Sequence, residues 1–579
     1  MSELEKGNSG LGGSSFDSGY LTNETAPTKR TTKQTVKKFF SDFKPNDLQD
    51  VGFDTTGLTE KEIRFEMIKN EGSGKAKLTT RHAIVSSLAG AVGTGLFIGM
   101  GNSLKSGGPG AVLIGFAITG ITVLCFMGSL GELGVRYRSA SFTTYVSRFI
   151  DESWGFACAW MYALCWLIVM PIELITSSIV IRYWHEDNNA AAKVNPVAWV
   201  SIFYVCIIVI TFFGVKGYGE AEFVFSSIKV LAAIGFIIFG IVIDAGGGPN
   251  HKYIGAKLFD NPGSFASGFK GVALGIVNSA FAYGGTEISG LAAASSNAPH
   301  RAFPAVVKSV VWRICLFFIT LTLMVCLLVP YTEEGLGVTS PFVIAINNAG
   351  VRGLPSVFNA VIIISVFSVA NAATFAASRV ISTLAVDGHA PAVFATTDRR
   401  GRPTAALILT ILFGGLSFLA AYEDYGQVFD WMYAFVSLSF LYLWASISIS
   451  LIRHRIALKR DGIPLSSLLY RSPFGIPGAI IGFGATSTII AFQLWLAIVP
   501  LHQSPDPQAF FKQMLSLPVA IFLFVAHKLW TRKAPVWSKD LDVTSGLRTY
   551  DMELVATEDA IHSEKMRKNL MYRIYHIFC

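Results

Sequence analysis

Two apolar stretches of this chain, each long enough to cross a bilayer, are interrupted by small residues at corresponding places in two halves of the sequence. The first carries Gly90-Ala91-Val92-Gly93-Thr94-Gly95, and the sixth carries Phe281-Ala282-Tyr283-Gly284-Gly285-Thr286-Glu287. Glycine loses the most backbone freedom on joining a helix, so such clusters unwind one. Hydrocarbon does not tolerate bare N–H and C=O groups. An unwound stretch at membrane depth is therefore buried in protein or lines a cavity. Paired interruptions in two halves of a chain point to a buried ligand site between repeats.

The rest of the sequence supports a membrane setting. Of 579 residues, 52% are hydrophobic and only 15% charged, and the mean hydropathy is +0.49. The apolar residues come in blocks of about 20, the length that crosses a bilayer as a helix. Twelve spans are expected, near 82–101, 110–134, 155–181, 196–213, 222–244, 271–293, 305–330, 354–386, 404–421, 428–451, 478–500 and 513–530. The fold class is an all-α polytopic membrane protein with twelve transmembrane helices. Two inverted five-helix repeats (81–244 and 245–452) each begin with a broken helix, helices 1 and 6, and helices 11–12 follow (453–530). The halves show no convincing identity, as inverted repeats often do not. Residues 1–80 and 531–579 read as soluble tails, the first polar, disordered and without a signal peptide. Val51–Gly74 reads equally as a segment docked on the cytosolic face or as a linker.

Net charge is +8, which topology explains without nucleic acid. Arg136, Arg138 and Arg148, then Arg301, then Arg399, Arg400 and Arg402, then Arg453, Arg455 and Arg460 fall in alternate loops. Positive loops stay in the cytoplasm, so both tails are expected there. The seven cysteines have no metal spacing, and six lie in spans as small packing residues. The histidines are scattered and no Walker motif is present, so no metal, nucleotide or other cofactor and no enzymatic activity are expected.

The first interruption exposes N–H groups at the start of a half-helix near Thr94. Such donors, with the helix dipole, form an anion site suited to a carboxylate. A GxxxG-like packing face is the bland reading. The matched second interruption favours a ligand, with Ala91, Gly93, Thr94 and Gly95 as candidate contacts. The second interruption leaves the carbonyls of Ala280, Phe281 and Ala282 without helical partners, and these would attract a cation such as an ammonium. Phe281 and Tyr283 offer aromatic walls or core packing, with Phe281 the stronger candidate for the site. Glu287 lies at membrane depth, where an ionisable group is a functional candidate for amine contact or proton movement; a structural bridge is the alternative.

Lys229, about two turns into span five, reads two ways. It snorkels to the interface, or it is a buried ammonium poised by desolvation to exchange a proton. Glu173 is expected to line the outer vestibule and Glu132 to hold a cytosolic loop through an arginine. Arg313 and Arg379 are expected to snorkel.

Together with these residues, a long ordered set of motifs resembles the fungal amino acid permeases of the amino acid–polyamine–organocation superfamily, most of all the general, broad-specificity ones. The markers include Gly93-Thr94-Gly95-Leu96-Phe97, Gly107-Gly108-Pro109, Gly131-Glu132-Leu133, Gly214-Val-Lys-Gly-Tyr-Gly-Glu-Ala-Glu-Phe223 and Ser340-Pro-Phe-Val-Ile-Ala345. The resemblance runs from about Phe39 to Cys579. It implies a plasma-membrane symporter that takes up amino acids with protons. The substrate carboxylate would meet the first break and its amine the second. Lys229 matches a family lysine that stands where sodium-driven relatives hold a sodium ion. The resemblance also implies ubiquitin ligase machinery acting on N-terminal lysines, contact with membrane lipid, and palmitoylation of Cys579.

The sequence departs from the family pattern in three places. Ala91 replaces a usual polar residue, Arg136-Tyr-Arg-Ser-Ala-Ser141 replaces a Pro and Gly-Gly segment, and Ser295 replaces a Glu after span six. Two alternatives remain at this stage: an amino acid sensor that transports little, and an importer of another organic cation such as a polyamine or carnitine.

Overall fold

The computed structural model describes residues 92–564 except 138–141, 186–193, 250, 295–298, 338, 399–401, 422–424, 502–503, 538–540, 549, 551–554, 558–559 and 561–563. The described residues belong to one compact unit. Ala91, Val51–Gly74, Ser295, Cys579 and the tail through residue 80 lie outside the described residues.

The described chain is helical, with two isolated β-bridges. After a π-wound turn, Gly95–Gly99, come α1 (Met100–Gly107), α2 (Pro109–Arg136), α3 (Phe142–Phe149), α4 (Glu152–Ile181), α5 (Pro196–Phe212) and α6 (Gly214–Asp244). Next are α7 (Gly268–Tyr283), α8 (Thr286–Ala294), α9 (Pro299–Arg313), α10 (Leu321–Leu328), α11 (Pro341–Asn348) and α12 (Leu354–Val386). The rest are α13 (Thr404–Gly414), α14 (Tyr425–Arg460), α15 (Gly475–Ile498), α16 (Pro507–Met514) and α17 (Ser516–Thr531). Among the described residues, seven helical segments are long and apolar enough to cross a membrane, or eight if the pair α16–α17, bent by 58°, is one span.

Local chemistry sets the helix ends. Asp151 caps α4 by accepting from the N–H groups of Ser153 (2.8 Å) and Trp154 (3.2 Å). Gly108 stands at φ +83° before Pro109, which starts α2 where a missing N–H costs nothing. α6 begins at Gly214 and α14 runs to Arg460, both beyond the expected spans, because their polar ends continue the helix past the apolar stretch. The short helices α3 and α11 carry no membrane-length signal and were not anticipated.

α4, α12 and α14 form the interior, while apolar side chains such as Leu231 and Phe522 point outward, 70% and 69% exposed, as a lipid-facing surface requires. α6 and α12 run antiparallel along one seam. Phe236 meets Phe358 (5.3 Å between ring centroids), Phe225 meets Phe367 (5.7 Å), and Tyr218 meets Phe375 (4.0 Å).

The C-terminal segment crosses one end of the bundle. Arg148 Nη1 donates to the Ser545 carbonyl (2.8 Å), Arg548 N–H to the Arg136 carbonyl (3.0 Å) and the Tyr550 hydroxyl to the Val135 carbonyl (2.8 Å). At the same end Glu132, fully buried, accepts from Arg455 Nε (2.8 Å) and Nη2 (2.6 Å) and from the Ser472 N–H (2.8 Å). This is the arginine pairing its sequence position suggested.

Candidate functional site

The two interruptions pack directly on each other. A Cβ added to Gly95 would sit 2.5 Å from Ala282 Cα, and one on Gly93 would sit 2.6 Å from Val369 Cγ2. Only a residue without a side chain allows this approach. Between them lies a cavity of about 50 Å³, lined from the two breaks by Gly93, Thr94, Gly95, Phe281, Ala282 and Gly284–Gly285. Space of roughly 10–15 Å³ holds one water, so several fit. Trp166, Phe281 and Phe440 supply aromatic walls, and Glu173 and Arg313 are the two charged residues of the lining.

The first break carries a buried carboxyl group. The Thr94 hydroxyl donates to Glu173 Oε2 (2.7 Å), and both residues are buried. Glu173 therefore reaches the centre of the site and not only an outer vestibule. Its position, two residues after Pro171 on α4, is visible in the sequence, but which helix face it occupies is decided by the packing of α4 on α12.

Lys229 on α6 is wholly buried and does not snorkel to the interface. The carboxyl groups acting on it are Glu222, two turns earlier on the same helix, and Glu173 on α4. Glu222 is held on both oxygens. Ser368 Oγ donates to Oε2 (2.9 Å) and Oε1 (3.0 Å), and Ser226 Oγ donates to Oε1 (3.1 Å). Sequence reasoning gave Glu222 no role. The spacing Tyr218, Glu222, Ser226, Lys229 places all four on one helical face, and that signal could have found it.

The second break differs from its expectation in several ways. α7 ends at Tyr283, and the Phe281 carbonyl is not free but accepts from the Gly284 N–H (3.0 Å). Gly285 turns the chain at φ +87°, and the Thr286 hydroxyl donates to the Tyr283 carbonyl (2.7 Å). Arg313 does not snorkel. It is buried and donates through Nη2 to the Thr286 hydroxyl, bringing a cation beside the break.

Phe281 stacks on Tyr433 at 4.0 Å and lines the cavity. Tyr283 packs against Phe318 (4.1 Å) and donates to the Phe116 carbonyl (2.9 Å), so it belongs to the core behind the site. Ala280 is also buried behind the lining. Glu287 faces away from the cavity. Its Oε1 accepts from the Gly285 N–H (3.2 Å) and its Oε2 has no hydrogen-bond partner, while Tyr162 and Trp444 lie near the carboxyl. It is one layer behind the contact position expected for it. Among the described residues no group of three or more His, Cys, Asp or Glu is arranged to hold a metal ion.

The amino acid permease family profile matches residues 82–539. The chain belongs to the amino acid permease family. This permease is 44% identical over 559 residues to the general amino-acid permease GAP2 of Candida albicans, covering 94% of each chain. It is 41% identical over 524 residues to the general amino-acid permease GAP1 of Saccharomyces cerevisiae, covering 87% of this permease and 86% of that one. The S-adenosylmethionine permease GAP4 of Candida albicans is 40% identical over 575 residues, covering 98% and 93%. Its relatives are transporters, and the permease is a multi-span membrane protein and not an enzyme. A nucleobase-cation-symport-1 family transporter, Mhp1, in a closed conformation with bromovinylhydantoin bound, aligns at a TM-score of 0.40 and 15% identity over 76% of the permease and 97% of that chain.

Proposed function

We propose that this permease imports amino acids of broad specificity together with protons, by alternating access at the plasma membrane. Two inverted five-helix repeats of a twelve-span bundle would move about the central cavity. The observation that carries this reading is the cavity itself, formed where two glycine breaks meet, with one acidic and one basic side chain in its lining. A zwitterion suits such a balanced pair. A polyamine, which carries no carboxylate, offers no anion to the Arg313 side of the lining.

Glu173 supplies a route for coupling. The substrate carboxylate is drawn to the Thr94 break, where Glu173 already engages the threonine hydroxyl. Two ionised carboxylates in one buried space repel each other strongly. A proton on Glu173 removes that repulsion and frees Thr94, so substrate and proton enter together. Lys229, within electrostatic reach of Glu222 and Glu173, then responds to the charge on Glu173 as the proton comes and goes. Phe281 closes over the side chain, and its stacking on Tyr433 leaves the ring able to serve residues of differing size. Glu287 assists proton movement from behind the second break and does not touch the amine.

The end of the bundle bearing the C-terminal segment is the cytosolic one, with both termini there, since arginines concentrate at it. Ubiquitin ligase machinery acting on N-terminal lysines and palmitoylation of Cys579 are part of the same reading. The test is uptake of radiolabelled amino acids into transport-deficient cells, with and without a protonophore. S-adenosylmethionine and a polyamine complete the panel. Broad, protonophore-sensitive amino acid uptake supports the reading. Uptake of the polyamine alone, or none despite surface expression, refutes it.

A further inference from the structure

A second, smaller cavity of about 20 Å³ lies at the end of the bundle that carries the C-terminal segment, between α5, α6, α12 and α13. Tyr218 lines both it and the central cavity. The Tyr218 ring lies flat on Phe375, with centroids 4.0 Å apart and planes at 12°. On Phe375 lies the guanidinium of Arg379, with Cζ 3.3 Å from the ring centroid. Tyrosine, phenylalanine and arginine thus form a continuous stack leading out of the central cavity.

The smaller cavity has the chemistry of an anion site. Among the described residues its lining holds Arg379, Arg402 and the amide of Asn371, and no carboxylate. Asn371 is 3% exposed, and its Nδ2 has no hydrogen-bond partner. A buried amide donor of this kind gains from an incoming acceptor oxygen. Arg402 is committed to the wall: it pairs with Asp398 (2.6 Å) and donates to the Phe212 carbonyl at the end of α5. Asn371, Phe375 and Arg379 recur every four residues on α12, so they share one face below Val369 and Ala372, which line the central cavity. A ligand moving along α12 from the central cavity meets the stack and then these donors.

We propose that this cavity is a release subsite for the carboxylate of the amino acid, gated by the Tyr218–Phe375 stack. Asn371 and Arg379 receive the carboxylate once Tyr218 swings off Phe375. The inference rests on the reading of the protein as an amino acid importer. In the closed arrangement the cavity admits only a water or two, so the subsite fills when the gate opens. The guanidinium, which also donates through Nη1 to the Phe375 carbonyl (3.4 Å), leaves the ring face for the carboxylate, exchanging these contacts for charge-assisted hydrogen bonds.

The test compares the two faces of the permease in cells, using whichever of alanine, leucine, phenylalanine and arginine the native protein takes up fastest. External half-saturation is read from initial uptake, and internal half-saturation from exchange out of preloaded cells. Arg379→Gln and Asn371→Asp should each raise the ratio of internal to external half-saturation about tenfold, the loss expected for one charge-assisted hydrogen bond. Arg379→Lys should recover part of it. An unchanged ratio, whether both constants move together or neither moves, overturns the subsite. Failure of the native protein to take up any amino acid defeats the importer reading and this proposal with it, and it shows before any variant is made. Because a variant can fail to fold, a second measurement uses Thr374→Cys, with the native cysteines as background. Internal amino acid should slow its labelling by a maleimide applied to the cytosolic face. Labelling indifferent to amino acid also refutes the subsite.

Discussion

Gly95→Ala tests the meeting of the two breaks with a single methyl group. The new Cβ would stand 2.5 Å from Ala282 Cα, 2.8 Å from Ala282 Cβ and 2.9 Å from Ala282 N, where ordinary contact begins at 3.4 Å. The obstacle is backbone, so no side-chain rotation relieves it, and the breaks must separate by about 0.9 Å. Overpacking of this kind costs roughly 1–3 kcal/mol in a tight interior, which a large helical protein survives. A displacement near 1 Å at a positioning site, in contrast, costs on the order of 100-fold in rate. The assay is initial uptake normalised to surface protein. Gly235→Ala serves as the control, because a Cβ there meets nothing within 4 Å. Surface expression near native with uptake reduced about a hundredfold is the expected pattern. Gly95→Ala uptake within threefold of the control would refute the claim that this apposition builds the site.

Lys229→Ala should abolish accumulation against a gradient, and near-normal accumulation removes its coupling role. Because truncation removes the cation acting on buried Glu222, the Lys229→Ala/Glu222→Gln pair should express better than Lys229→Ala yet remain uncoupled. Glu132→Gln breaks the buried pair with Arg455 (2.6 Å) and should lower stability by roughly 3 kcal/mol, read as an earlier melting transition in detergent; an unchanged transition counts against a structural role for the pair. The carboxyl of Asp542 is held below its usual range by hydrogen bonds from Ser545 and Thr544. With a lowered value in the folded state, its contribution is present above the ordinary carboxylate range and fades as pH falls through the lowered one. Acidification should therefore expose the segment around residue 542 to proteolysis, and Asp542→Asn should expose it already at neutral pH; protection indifferent to both would contradict the anchoring.

Much of the architecture was legible because bilayer length and glycine clusters are local signals. The expected span 354–386 coincides with α12, and the half-helix start near Thr94 agrees with the π-wound turn at Gly95. Facing relations were not legible. Tyr283 and Phe281 are two residues apart on α7 and so point to opposite sides, but which of them faces the cavity is decided by the packing of α7 on α2. Arg313 looked like a snorkelling residue because depth along a helix was estimated from apolar runs. The π-wound turn at Ile314–Thr320 and the packing of α9 turn it inward to Thr286. The charged side chains at the breaks follow the dipole argument, with a carboxyl at the first break and a guanidinium at the second, but they stand where the substrate's own carboxylate and amine were expected. Only tertiary packing brings α4 and α9 to those places.

The central claim is that a proton enters with each amino acid through Glu173. It is tested most directly by proton flux in proteoliposomes clamped at zero membrane potential. Addition of a transported amino acid should alkalinise the outer medium in the native protein. Glu173→Gln should bind the amino acid without moving protons. Amino acid uptake by the native protein with no accompanying proton movement would contradict the account.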